Sequence, residues 1–308
     1  MSREILTVAV CTHNRGAALR RCLEAIAAQT RDPALFKVIV IDNASTDDTA
    51  AVVAAAQRAS PALAYVHEPN LGLAKARNRA LALCQTQLLA FTDDDALPHA
   101  DWVETILRSF QDLPDHFAAV GGEIEPIWET ERPPWLEDEM LRPMSARLGW
   151  DIVPRELLAH EWICEVNCAY RTSVLEKYHG FPESLGRSAY WLVSSENYIN
   201  THMYQDGYRF YFNPSMRVAH VIPASKATRT WLKRRYFWQG VSEALCAAFD
   251  VSAGRSPSYK TEFDLPGSAR EWRLLGDHNA TAVELRRSLE LSHSVGYLLG
   301  LKDIIHGR

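Results

Sequence analysis

A chain of 308 residues that is 47% hydrophobic and 23% charged has the composition of an ordinary globular protein. That length is enough for one large domain or two coupled ones. A formal net charge of −5, from 33 basic and 38 acidic side chains, gives no support for a nucleic-acid binder.

From the N-terminus, residues 5–10 ("ILTVAV") form a short apolar run rich in β-branched side chains. It is too short for a signal-peptide core, and no later stretch approaches a membrane span. Residues 36–42 ("FKVIVID"), 62–67 ("ALAYVH") and 87–92 ("QLLAFT") repeat the pattern, and continuous apolar runs of this length predict strands buried on both faces. Helical stretches alternate with them. Residues 17–29 carry Leu19, Cys22, Leu23 and Ile26 on one face; 49–59 are Ala-rich with a start at Ser45 or Thr46; 73–84 are rich in Ala and Leu. The alternation predicts βαβ units and a mainly parallel sheet. Further on, 118–126 and 161–171 read as strands, 128–150 as a long irregular insertion, 194–207 as a serine-capped helix, and 208–214 and 216–223 as two short strands. From residue 225 the pattern is helical, and residues 250–271 are the candidate mobile loop. The six cysteines are scattered. Cys164 and Cys168 lie four apart, but no matching Cys/His pair completes a zinc site, so reduced thiols in a cytosolic protein are the expectation.

In such sheets ligands bind beyond the carboxyl ends of the strands. That rule gathers Thr12, His13, Asn14 and Arg15 after the first strand, Asp42, Asn43 and Ser45 after the second, and Asp93, Asp94 and Asp95 after the fourth. Two carboxylates about 5 Å apart repel by roughly 3 kcal/mol at an effective dielectric near 20. Three in a row are cheap on an open surface. In a cleft they call for a cation or raised pKa values.

The ordered motifs "TVAVCTHNR", "VIVIDNASTDDT", "GLAKARNRAL", "AFTDDDALP", "NCAYRTSVLEKYHGFPE", "SSEN", "DGYRFYFNP" and "VAHVIP" resemble the family-2 glycosyltransferases of GT-A fold. The resemblance covers residues 7–223. It implies an α/β, Rossmann-like sheet flanked by helices, with a C-terminal helical extension. It also implies an inverting transfer of a sugar from a nucleoside-diphosphate donor to a glycan, lipid-linked or other glycoconjugate acceptor. By resemblance the base is uracil, with guanine and thymine as open alternatives.

The same resemblance assigns roles. Asp42 holds the base, with Thr12, Asn14 and Arg15 in the same sub-site. Arg77 lies near base and diphosphate, with Asn78 beside it. Asp95 ligates a Mn²⁺ or Mg²⁺ ion, Asp93 lies near ribose and metal, and Asp94 takes either part. His220 lies near metal or diphosphate; its alternative is a satisfied core imidazole. Asn167 falls near the acceptor and donor sugar. The catalytic base falls at a Glu-Asp pair that reads Glu196-Asn197 here, and an amide cannot accept a proton as a carboxylate does. Either Glu196 is the base, or the chain is an impaired sugar-nucleotide or glycan-binding relative, or the register is off by one. A nucleotidyltransferase is the other alternative, although "CTHNRGAAL" lacks its glycine-rich basic loop.

On the acceptor side Trp128, Trp135, Trp150, Trp162 and Trp191 are candidates for sugar stacking or for packing. The domain reading is 1–98 for donor binding, 99–223 for acceptor binding and 224–308 for the helical extension. In that extension "WLKRRYFWQG" reads either as a helix packed with a basic outer face or as an amphipathic contact with an anionic membrane. A cytoplasmic protein, peripheral at the inner membrane face in the second case, follows.

Overall fold

The computed structural model describes residues 5–60, 62–185, 192, 195–257, 265–276 and 281–305. Trp191, Ser194 and the 258–264 portion of the expected mobile loop lie outside the described residues. Two compact units divide the chain. Met1–Ile127, Ser145–Glu183 and Ile199–Val221 form the first; Trp128–Met144, Ser184–Tyr198 and Ile222–Arg308 form the second.

The first unit opens with the expected alternation: β1 (Leu6–Thr12), α1 (Gly16–Ala27), β2 (Phe36–Asn43), α2 (Thr49–Ala59), β3 (Leu63–Glu68), α3 (Leu73–Leu83) and β4 (Leu88–Asp93). It continues through β5 (Ala96–Pro98), α4 (Trp102–Gln111), β6 (Phe117–Trp128), β7 (Arg155–Glu156), β8 (Cys168–Arg171), α5 (Thr172–Lys177), α6 (Ser195–Gln205), which counts with this unit only from Ile199 onward, and β9 (Arg209–Ile222). These strands form one sheet in the order β3-β2-β1-β4-β8-β6-β9-β5, with β7 on β9. It is a mixed sheet. The β3-β2-β1-β4 half is parallel, as the helix-strand alternation requires. Beyond β4 the pairings β4–β8, β6–β8, β5–β9 and β7–β9 are antiparallel.

The apolar runs bury as their composition dictates. Leu6, Val8 and Val10 of β1 pack with Leu19, Cys22, Leu23 and Ile26 of α1 and with Val38, Val40 and Ala90. Each such aliphatic side chain contributes about 1.5–3 kcal/mol of burial. Four expectations are corrected. First, β3 is an edge strand, and only Leu63 of its six residues is buried, because no strand covers its outer side. Second, residues 161–167 are not strand; β8 begins at Cys168, after a turn in which the Asn167 amide donates to the Cys164 carbonyl. Third, the two short strands expected at 208–223 are one continuous β9. Fourth, neither Ser45 nor Thr46 caps α2. Asp47 accepts from the Thr49 amide and hydroxyl through one oxygen and from the Gly16 amide through the other, so one carboxylate serves the starts of α1 and α2.

The second unit is built on α7 (Arg229–Ser252), α8 (Ala269–Gly276) and α9 (Ala282–Ile305). The long helices α7 and α9 touch at backbone distance: a Cβ on Gly240 would come within 2.0 Å of the His293 carbonyl, and one on Gly296 within 2.0 Å of the Phe237 carbonyl. Thr228 caps α7 through the Trp231 amide. The expected basic outer face of α7 is incomplete. Lys233 is buried, and its ammonium donates to the Leu274 carbonyl at 2.7 Å and the Leu275 carbonyl at 3.3 Å, closing the end of α8. Among the described residues, no helix is long and apolar enough to cross a membrane.

Candidate functional site

The parallel register sets three strand ends side by side. Thr12 lies opposite Asp42, and Cys11 lies opposite Asp93. His220 joins them because β9 runs antiparallel to β5, with His220 opposite Ala96. Residues 30 apart in sequence (Thr12 and Asp42) and 208 apart (Thr12 and His220) therefore meet at one edge of the sheet.

Asp42 is buried, and its carboxylate is partly satisfied by the protein itself. One oxygen accepts from the Ser45 amide at 3.0 Å; the other accepts from the Tyr65 hydroxyl at 2.6 Å. Burial and this anion push the Tyr65 phenol up to about 12. A carboxylate offers about four acceptor sites, so capacity remains for one further donor. Asn14 adopts a left-handed backbone (φ 53°), and its side-chain oxygen accepts from the Thr46 amide at 2.7 Å. Its own amide donates to Ser45 Oγ at 2.9 Å. Asn14 thus ties the loop after β1 to the loop after β2.

The acidic triplet divides its work. Asp94 is buried, accepting from Thr12 Oγ at 2.7 Å and from Arg15 Nη1 at 3.0 Å. Burial pushes its carboxyl up to about 6 against the pull of the Arg15 guanidinium. Asp95 receives the same Arg15 Nη1 at 2.5 Å on one oxygen and faces His220 Nε2 at 3.2 Å with the other. The Thr12 and Arg15 side chains address the acidic triplet, with Arg15 as the cation that relieves two adjacent carboxylates.

Asp93, Asp95 and His220 each offer a ligand atom, and the three atoms lie within 4.8 Å of one another. His220 Nδ1 sits 2.9 Å from the Ser145 carbonyl, an acceptor only, so Nδ1 carries the hydrogen. Nε2 then presents a lone pair toward a carboxylate oxygen. A cation lying between these two electron-rich atoms would relieve their repulsion. Imidazole fixed by a backbone carbonyl, together with two carboxylates, is a donor set that suits Mn²⁺ or Mg²⁺, so the residues present fit a divalent ion.

Arg77 is buried, its guanidinium 5.6 Å from the Phe181 ring centre, and its charge reaches Cys11 at the end of β1. Asn78 is structural: its amide donates to the Phe181 carbonyl and its oxygen accepts from the Phe181 amide, both at 2.8 Å. Asn167 is bonded into the protein interior. It is fully buried, accepts from Trp102 Nε1 at 2.7 Å, and donates to the carbonyls of Glu123 at 2.8 Å and Met216 at 2.7 Å. Those three bonds use both of its N–H donors and one of the two acceptor sites on its oxygen. Gly122 permits the junction, since a Cβ there would lie 1.8 Å from the Met216 carbonyl and 2.7 Å from the Asn167 amide.

Glu196 and Asn197 lie in the first turn of α6 and belong to the second unit. The Ser195 hydroxyl donates to Glu196 at 3.0 Å. Trp150 and Trp162 pack edge to face at 4.7 Å, with Trp150 Nε1 donating to the Trp162 carbonyl. That is packing rather than an open stacking platform. Sequence reasoning missed Tyr65, Asp47 and Ser145. The register of β2 with β3 is the one signal that brings Tyr65 near Asp42. Nothing local marks Ser145.

Comparison with solved structures gives the class first. The whole chain superposes on 77% of the mannosyltransferase from Pyrobaculum calidifontis solved with GDP-Man and Mn²⁺, at a TM-score of 0.61 and 19% identity. It covers 99% of itself and 92% of the S. aureus TarS 1–349 structure with UDP, at 0.56 and 15%. At these identities the likeness is one of fold, that of the GT-A glycosyltransferases. The family model for glycosyl transferase family 2 matches residues 7–178, and the chain belongs to that family. It is a glycosyltransferase, which removes the nucleotidyltransferase alternative. The glucosyl-dolichyl phosphate glucuronosyltransferase of Haloferax volcanii is 27% identical over 248 residues, 77% of this chain and 76% of that protein. The chain spans less than half the length of several other curated relatives it matches.

Proposed function

We propose that the protein transfers a sugar, with inversion, from a UDP-linked donor to a glycan or lipid-linked acceptor on the cytoplasmic side of a membrane. The observation that carries this reading is the convergence of Asp93, Asp95 and the carbonyl-oriented His220 at the strand ends beside Asp42. Neighbours of the same fold solved with UDP, and with GDP-Man and Mn²⁺, support a nucleoside-diphosphate donor. A relative that is a glucosyl-dolichyl phosphate glucuronosyltransferase supports a lipid-linked acceptor.

In this mechanism Asp42 accepts a base N–H with the capacity that Ser45 and Tyr65 leave, so a base lacking a donor there strands a buried carboxylate. Arg77 offers a buried guanidinium to an anionic or planar group. Asp93, Asp95 and His220 would hold a divalent ion, which when bound neutralises charge on the departing diphosphate. Arg15 neutralises Asp94 and Asp95 and so limits the negative charge met by an arriving diphosphate. Glu196 takes the acceptor hydroxyl's proton as that oxygen bonds to the anomeric carbon and the bond to the diphosphate breaks. Its place in the first turn of α6 favours the ionised form it needs for that task. Asn197, an amide, takes no proton.

The test is a panel of nucleoside-diphosphate sugars incubated with and without Mn²⁺, with released nucleoside diphosphate measured. UDP release from a UDP-sugar, abolished by EDTA, is the expected result. Equal release in EDTA, or no release from any donor while UDP still binds, overturns the reading; the second outcome identifies a binding relative.

A further inference from the structure

We propose that the end of α7 positions the candidate base: Asp250 and Arg255 act through Tyr198 to fix the first turn of α6 and thereby the direction of Glu196. The inference rests on the reading of Glu196 as the base. It assigns a role to a segment that lies beyond the 7–178 match to the family model.

All the residues involved belong to the second unit. Asp250, in the last turn of α7, is fully buried. Its Oδ1 accepts from the Tyr198 hydroxyl at 3.2 Å and from Arg255 Nε at 3.3 Å. Arg255 Nη2 donates in turn to the Tyr198 oxygen at 2.9 Å, which closes a triangle of three hydrogen bonds. The Arg255 amide also donates to the Asp250 carbonyl at 2.8 Å, after Gly254 turns the chain with a φ of 70°. Phe249 packs edge to face on Tyr198 at 6.2 Å. The Tyr198–Asp250 hydrogen bond and the Tyr198–Phe249 ring contact hold the first turn of α6 against this stretch of α7.

A buried carboxylate is costly unless paired and hydrogen-bonded, and it adds less to stability than an apolar replacement commonly does. Its value lies in direction. Successive helical residues are about 100° apart, so Glu196 and Tyr198 leave the helix about 200° apart. Anchoring the Tyr198 hydroxyl therefore holds the first turn of α6, and with it the face on which Glu196 emerges. Tyr198 and Asp250 are positioning residues here; neither needs to meet the substrate. Displacing a base by about 1 Å can reduce turnover on the order of a hundredfold without altering donor binding.

The experiment compares Tyr198→Phe, Asp250→Asn and Glu196→Gln in the full chain. It uses the UDP-sugar with the fastest Mn²⁺-dependent hydrolysis, water serving as acceptor. Amide hydrogen exchange across α6 is measured in parallel. Tyr198→Phe keeps the ring packing on Phe249, so it is the variant that preserves the fold. The expected result is a fall of about tenfold to a hundredfold in kcat, an unchanged donor KM and faster exchange at residues 195–198 only. Wild-type kcat in Tyr198→Phe overturns the inference, as does a loss of kcat with unchanged exchange or with KM and Tm falling in step. If Glu196→Gln retains turnover, the base reading itself is wrong; if Glu196→Gln is inactive while Tyr198→Phe is normal, only the positioning role fails.

Discussion

Replacing Asn167 with alanine separates a structural residue from a donor-binding one. The substitution strands the indole N–H of Trp102 and the carbonyls of Glu123 and Met216, all of them buried partners of one amide. Each stranded group costs about 1–3 kcal/mol, so the three together give roughly 3–6 kcal/mol once local relaxation is allowed. For a chain of this size 1 kcal/mol moves Tm by about 2–4 °C, which predicts a fall of about 6–24 °C. Near-UV circular dichroism on heating reads the loss of tertiary packing. Titration of UDP with Mn²⁺ at a temperature where the variant is folded reads the site. The expected outcome is a large fall in Tm with UDP affinity within about twofold of wild type. An unchanged Tm with lost UDP binding would refute the assignment and return Asn167 to the donor pocket.

Three further outcomes follow from the same geometry. Arg15→Gln removes the guanidinium from Asp94 and Asp95; discounted for its 40% exposure, the effect is about 1 kcal/mol, so Mn²⁺ affinity measured by calorimetry rises about fivefold, and a weaker affinity would contradict the pairing. Glu196→Gln abolishes transfer while UDP binding by thermal shift is retained; unchanged turnover would move the base elsewhere. Gly296→Val forces a side chain into the Phe237 carbonyl and destabilises the α7–α9 pair by about 3 kcal/mol in denaturant unfolding, whereas Leu299→Ala on an exposed position changes little.

The parallel half of the fold was legible because its strands are continuous apolar runs and its helices carry clean stripes; α2 falls at the residues its pattern predicts. The antiparallel half was less so. Residues 161–167 alternate like a strand, but the turn from Cys164 to Asn167 uses their backbone groups instead. The Asp93, Asp95 and His220 cluster was legible as motif order, since register then brings the three together. The partners were not. Arg15 turned to the triplet, Tyr65 met Asp42, and Asn167 bonded into the core through contacts 23 to 80 residues apart, which no local pattern encodes. The role of Lys233 was also hidden, because only the docking of α8 shows that its charge is buried.

The most direct measurement is the binding of Mn²⁺ in the presence of UDP, followed by electron paramagnetic resonance, for the native chain and for Asp95→Asn. One tightly held ion per native chain, weakened at least tenfold in the variant, is the result the carboxylate–imidazole cluster predicts. Equal occupancy and affinity in both proteins would contradict it.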